Sequence, residues 1–255
     1  MNGLTNKVAI VTGAASGIGR AIAGRLAAEG SRVIVADVSP EGETAAHAIG
    51  GLFLPTDLTS RADCARLADA TIAALGTIHI LVNNAGIQHV APIAAFPDEA
   101  WDRLLAVMLT APFALARAVW PAMAGQGWGR IINISSLNAL RAEPQKAAYN
   151  AAKAGLLGLT RTLAVEGGPH GITAHAILPG LVRTPLVERQ LPALAQAYGV
   201  PQERVIADVL LRGAPIKRFI EPAEIAALVA FLCSDEAAAM TGTPILIDQG
   251  IHASI

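Results

Sequence analysis

Cysteine is nearly absent: Cys64 and Cys233 are the only two in 255 residues, and they stand alone without paired spacing. This excludes a disulfide framework and a zinc site of clustered thiolates, and a reducing, cytoplasmic location is expected. Charge is also scarce, at 15% of residues with a net charge of −1 and an isoelectric point near 6.6. Without a basic excess there is no electrostatic footprint for nucleic acid, and no such partner is expected. Six histidines are scattered without ligand spacing, so no metal centre is expected. Apolar residues make up 53% of the chain and mean hydropathy is +0.47, much of it from alanine-rich stretches. No uninterrupted apolar run reaches the roughly 20 residues that span a bilayer, and Met1–Lys7 leads into a strand without an apolar signal region. No membrane partner is expected.

What the chain does have is rhythm. Short apolar runs at Val8–Val11, Arg32–Ala36, Leu52–Leu54, Ile78–Val82, Arg130–Ile134, Thr173–Leu178 and Pro244–Ile247 read as strands. Between them lie stretches of helical period, among them Ile18–Glu29, Asp98–Met123 and Lys146–Val165. Strand and helix in alternation imply one α/β domain over 1–255, a doubly wound parallel sheet of about seven strands with helices on both faces. From Pro179 to Glu221 the rhythm breaks: no strand is evident, prolines recur and the helices read as short. So long an excursion within a compact domain points to function, and residues 185–220 are expected to form a helical lid over the substrate.

Gly13, Ser16, Gly17, Ile18 and Gly19 lie between the first strand and a helix. Glycine there allows a tight turn and close approach of backbone to a pyrophosphate, whose charge the helix N-terminus favours. Asp37 ends the second strand, eighteen residues after Gly19. A carboxylate there bonds ribose hydroxyls and repels a 2′-phosphate, which favours NAD over NADP; the other reading is a turn or cap aspartate. Asp57, with Leu58, is a candidate for the adenine amino group or a helix cap. Asn84, Ala85 and Gly86 end the fourth strand, and Pro179, Gly180, Val182 and Thr184 follow the sixth. Ligands of open α/β sheets sit beyond such strand ends, and Thr184 is a candidate for the nicotinamide amide.

Tyr149 and Lys153 are four apart and share a helix face. An ammonium beside a phenol favours the phenolate, so Lys153 is expected to lower the Tyr149 pKa and fit it for proton exchange with an alcohol or ketone. Ser136, thirteen residues earlier, is the candidate donor to the substrate oxygen.

Taken in order, Thr12–Gly19, Asn83-Asn84-Ala85-Gly86, Ser136, Tyr149-Asn150-Ala151-Ala152-Lys153 and Pro179-Gly180 resemble the short-chain dehydrogenase/reductase family across nearly the whole chain. The resemblance implies a Rossmann-type fold, NAD, catalytic Ser136, Tyr149 and Lys153, and a homo-oligomer, commonly a homotetramer. Within the family, Gly86-Ile87-Gln88-His89-Val90, Gln126–Arg130 and Val182–Glu188 are similar to the bacterial 3-hydroxybutyrate dehydrogenases. That likeness implies a small carboxylate substrate held by Gln88, Lys146 and Gln190, with Asn138 where the subgroup has histidine. Lys146 and Gln190 read equally well as solvated surface side chains. Leu181 and Ile251 replace the subgroup's tryptophans, which implies a less aromatic pocket. Met108 occupies the family's asparagine position in Val107-Met108-Leu109, which implies a perturbed proton relay. The same chemistry on a diol, sugar or cyclic alcohol is the alternative, as is a non-catalytic NAD-binding sensor.

Overall fold

Val8–Thr12 (β1) is buried along its whole length, and successive side chains enter two different cores. Ala9 and Val11 point toward helices α1 (Gly17–Ala28), α2 (Glu41–Ala48) and α7 (Pro222–Cys233). Ile10 points toward α3 (Arg61–Leu75), α4 (Asp98–Gly125) and α5 (Ala147–Gly167). A strand with period two and no polar face must be covered on both sides, which explains its unbroken apolar run. The computed structural model describes residues 1–254; the side chains of Pro185, Leu186, Arg189, Gln190, Ala193 and Ala197 lie outside the described set.

The remaining strands are β2 (Arg32–Asp37), β3 (Leu52–Pro55), β4 (Ile80–Asn83), β5 (Gly129–Ile134), β6 (Ile172–Pro179) and β7 (Pro244–Ile247). All pairings are parallel, in the order β3-β2-β1-β4-β5-β6-β7. The chain moves outward from β1 in one direction, then returns to its other side at β4. This switch point opens a crevice beyond the carboxyl ends of β1 and β4.

Each expected strand is present, β7 with the expected bounds and the others within two residues at each end. The fourth starts at Ile80 rather than Ile78, after His79 accepts the Val8 amide at its Nδ1 (3.0 Å). The excursion differs more. Instead of short helices only, it holds a 14-residue helix, α6 (Pro185–Tyr198), before the short turn Gln202–Arg204 and the π-helical stretch Val205–Leu210. Pro185 stands in its first turn, where a missing N–H costs nothing, and Thr184 Oγ1 accepts the Val187 amide (3.3 Å) as its cap.

Helix α4 is long and apolar enough to cross a membrane by length and composition alone. Its buried Ala111, Leu115, Val119 and Met123 instead pack against the sheet, as in a core-flanking helix. A π-helical stretch at Ala106–Thr110 interrupts it and carries Met108. Such bulges often sit at functional sites.

Candidate active site

The crevice at the switch point is a cleft of about 1240 Å3. That exceeds the roughly 300–1000 Å3 of a typical small-molecule pocket and leaves room for a dinucleotide beside a substrate. One end begins at the β1–α1 turn. Gly13 has φ +63°, and a Cβ there would stand 2.7 Å from Ala85 Cα. Gly17 has φ +55° with open space beside it. Gly19 is not in the cleft wall but beneath it, where a Cβ would meet Gly13 O at 2.3 Å and Asn84 Nδ2 at 2.4 Å. Asn84 donates to Thr12 O (2.9 Å) and Gly13 O (3.1 Å), while Thr12 Oγ1 accepts the Asn84 and Ala85 amides (3.0 and 3.2 Å). The two loops are thus locked together. Thr12 opens the glycine motif of the family resemblance, but its part in joining the two loops was not legible from sequence.

Ser16 precedes α1 without a side-chain cap, and Ser16, Gly17 and Ile18 line the cleft. The helix therefore presents its first N–H groups uncapped by any side chain, which fits an anionic phosphate. Asp37 is fixed rather than free: Oδ2 accepts the Ala15 amide (2.9 Å) and Oδ1 the Ser39 amide (3.0 Å). Asp37 is thus a turn carboxylate that also lines the cleft, with lone pairs to spare. Asp57 is bonded by the Thr59 amide and hydroxyl (2.9 and 2.8 Å), which hold its carboxyl below its ordinary value. It lines the cleft beside Leu58, as do Asn84, Ala85 and Gly86 and, across from them, Pro179, Gly180, Val182 and Thr184. These residues fit a nicotinamide dinucleotide, which when bound supplies a ring carbon that accepts or gives up hydride.

The other end of the cleft is built by β5 and α5. Ser136, Tyr149 and Lys153 all line it. Lys153 is 4% exposed, donates from Nζ to Ile134 O (2.8 Å), and lies 5.6 Å from the Tyr149 ring centroid. Ser135 Oγ donates to Lys153 O (2.8 Å), joining β5 to this turn of α5. Burial lowers the Lys153 pKa to about 8. Burial also raises that of Tyr149, opposed by the facing Ser136 hydroxyl and reinforced by Glu143. The expected lowering of the phenol by Lys153 is not found: Ser136 alone opposes the rise, and burial penalises the charged form of both groups.

Met108 is 1% exposed and packs with Leu104, Ala148, Ala152 and the Tyr149 side chain. A Cβ on Gly86 would stand 3.6 Å from Met108 Sδ and 3.9 Å from Lys153 Nζ, so thioether and amine face one spot.

Gln88, Asn138 and Lys146 all reach the cleft, while the Gln190 side chain lies outside the described residues. Asn138 Nδ2 donates to Asn150 Oδ1 (3.2 Å). Lys146 is not a lone cation; it forms an ion pair with Glu143. Glu143 and Arg141 line the same wall and were missed from sequence, although Glu143 three residues before Lys146 was a legible charge pair. Leu181 and Ile251 also line it, as aliphatic walls where the resembling subgroup has tryptophan. His89 instead faces a smaller adjoining cavity and stacks edge-on against Phe96.

Fold and site together define an oxidoreductase that uses a nicotinamide dinucleotide. Comparison with known proteins agrees. A family model of the short-chain alcohol dehydrogenases, adh_short_C2, described as Enoyl-(Acyl carrier protein) reductase, matches residues 13–252. The chain is 44% identical to the uncharacterized oxidoreductase YxjF of Bacillus subtilis, over 98% of this chain and 100% of that one. It is 42% identical to a D-beta-hydroxybutyrate dehydrogenase of Rhizobium meliloti, over 96% and 98%. Among solved structures, L-sorbose reductase from Gluconobacter frateurii, complexed with NADPH and L-sorbose, superposes with a TM-score of 0.93 at 31% identity, covering 99% of both chains. The chain belongs to the short-chain dehydrogenase/reductase family.

Proposed function

We propose that this chain is an NAD-dependent dehydrogenase that interconverts a secondary alcohol and a ketone, with a small 3-hydroxy acid such as D-3-hydroxybutyrate as substrate and acetoacetate as product. The observation that carries the reading is the convergence of Ser136, Tyr149 and the buried Lys153 on one wall of a cleft whose far end is the glycine loop. In this reading Tyr149 exchanges the hydroxyl proton with the substrate oxygen, and Ser136 donates to the charge that develops there. Lys153, held by Ile134 O, supplies positive charge below about pH 8 and passes protons outward. Asp37 supports NAD, because Val38, Ser39 and Pro40 after it offer no cation to a 2′-phosphate. Gln88, Arg141 and Lys146 give the substrate end amide and cationic donors for a carboxylate. Residues 185–220 act as a lid, since Val187 and Leu210 line the cleft. The protein works as a cytoplasmic homo-oligomer, for which Phe113 (42% exposed) and Val165 (78%) on the long helices offer apolar contact.

The Glu143–Lys146 pair favours one second reading. An anion already partnered to the lysine lowers its attraction for a carboxylate and offers an acceptor to hydroxyl groups. That suits a neutral diol or sugar alcohol. An absorbance assay at the reduced-nicotinamide band separates the two, with NAD or NADP and a panel of D- and L-3-hydroxybutyrate, diols and sugar alcohols. The proposal expects turnover with a 3-hydroxy acid and NAD. Turnover confined to neutral alcohols establishes the second reading, and dinucleotide binding without turnover on any alcohol overturns both.

A further inference from the structure

Gln249 adopts a left-handed backbone, φ +57°, which disfavours any residue but glycine, and it is 5% exposed. A buried amide in a strained backbone has to be held by its partners. Its partners all belong to the two legs of the excursion between β6 and α7. Oε1 accepts the Leu181 amide (3.2 Å), and Nε2 donates to Leu181 O (2.7 Å) and to Arg218 O (3.2 Å). The Gln249 backbone carbonyl accepts the Ile216 amide (3.2 Å). Leu181 is where the chain leaves the sheet; Ile216 and Arg218 are where it returns.

The surroundings are fitted to this side chain. A Cβ on Gly180 would stand 2.4 Å from Gln249 Oε1, so only glycine there admits it. Asp248 anchors the tail by accepting the Gly250 and His252 amides (3.0 and 2.7 Å). The two legs also meet directly, through Ile220 N to Leu181 O (3.0 Å) and Arg183 N to Ile220 O (2.9 Å). The leaving leg carries Leu181, Val182 and Thr184 along the cleft wall.

We infer that Gln249 is a positioning residue: a clamp rooted in the tail after β7 that joins both legs of the excursion and fixes its cleft-lining residues in register. With the base fixed, movement of α6 and the stretch after it is confined to the segment beyond the clamp. The inference rests on the reading of this segment as a cover for the cleft.

Three full-length proteins test it: the unaltered chain, Gln249→Gly and Gln249→Glu. Glycine relieves the backbone and removes the clamp. Glutamate keeps the acceptor for Leu181 N but sets a carboxylate against two carbonyls. Hydrogen exchange read by mass spectrometry should show amides at 181–183 and 216–220 exchanging at least tenfold faster in both variants, with β1, β4 and β5 unchanged. The melting temperature of Gln249→Gly should stay within about 3 °C, and KM for NAD and substrate should rise more than kcat falls. Unchanged exchange at 181–183 and 216–220 in Gln249→Gly overturns the clamp, as does faster exchange spread evenly over the sheet. Local loosening with unaltered KM and kcat leaves the clamp standing and overturns the cover it was thought to position.

Discussion

Gly19→Ala is a one-carbon change whose effect follows from geometry alone. The backbone of Gly19 is not left-handed, so alanine meets no dihedral penalty and gains helix propensity. The added carbon, however, would lie 2.3 Å from Gly13 O, 2.9 Å from Gly13 C and 2.4 Å from Asn84 Nδ2. Two of these are backbone atoms of the loop that must cradle the dinucleotide. Relief requires the loop to move outward or Asn84 to give up its bonds to Thr12 O and Gly13 O. Overpacking of this kind costs about 1–3 kcal/mol, and each lost hydrogen bond about 0.5–1.5. A net loss near 3 kcal/mol lowers the melting temperature of a chain this size by about 6–12 °C. Because the loop shifts, NAD affinity should fall at least tenfold in the surviving folded protein. Gly17→Ala is the control: its space is open, so only the φ of +55° is penalised, at about 1 kcal/mol. Thermal melting and dinucleotide titration of both variants check this. A Gly19→Ala protein that melts within 2 °C of the parent and binds NAD equally refutes the packing argument.

Asp37→Ser removes the carboxylate that accepts the Ala15 and Ser39 amides and, in the proposed reading, the charge that opposes a 2′-phosphate. NAD affinity should drop about tenfold or more and the NAD:NADP preference should narrow, as read by paired titrations. Met108→Asn places an amide beside Lys153 and Gly86. It should raise the Lys153 pKa above its present value of about 8 and shift the corresponding limb of the pH–rate profile alkaline; an unmoved limb contradicts a role for Met108. His175 is fully buried, and burial lowers its pKa to about 4. The unfolded chain takes up that proton near 6.5, so stability is full above about pH 6.5 and declines as pH falls toward 4, by up to about 3 kcal/mol for this group. Denaturant melts across that range should show the slope, and His175→Gln should reduce it, leaving the share of His79, whose pKa burial also lowers to about 4.

The sheet was legible because its inner strands are buried on both faces and so read as unbroken apolar runs; Val8–Thr12 and Ile172–Pro179 are clear cases, while the edge strands β3 and β7 are only partly covered. Boundaries slipped where a side chain decides pairing, as where His79 takes the Val8 amide and β4 begins at Ile80. The helix Pro185–Tyr198 was obscured because Pro185 and Pro192 read as breakers, whereas one stands in the first turn. At the site, Ser136, Tyr149, Lys153 and the glycines announced themselves by spacing. Burial did not: the raised Tyr149 and the lowered Lys153 follow from desolvation, which only packing reveals. The roles of Thr12 and Gln249 depend on partners up to 73 residues away in sequence, and no local pattern marks such contacts.

The account turns on the Tyr149 hydroxyl as the group that exchanges the substrate's proton. Tyr149→Phe keeps the ring packed with Met108, Ala148 and Ala152 and removes only that oxygen. With NAD and the best alcohol of the panel, kcat/KM should fall at least a thousandfold while NAD binding by calorimetry stays within about threefold. Turnover within tenfold of the parent, with cofactor binding intact, contradicts the account.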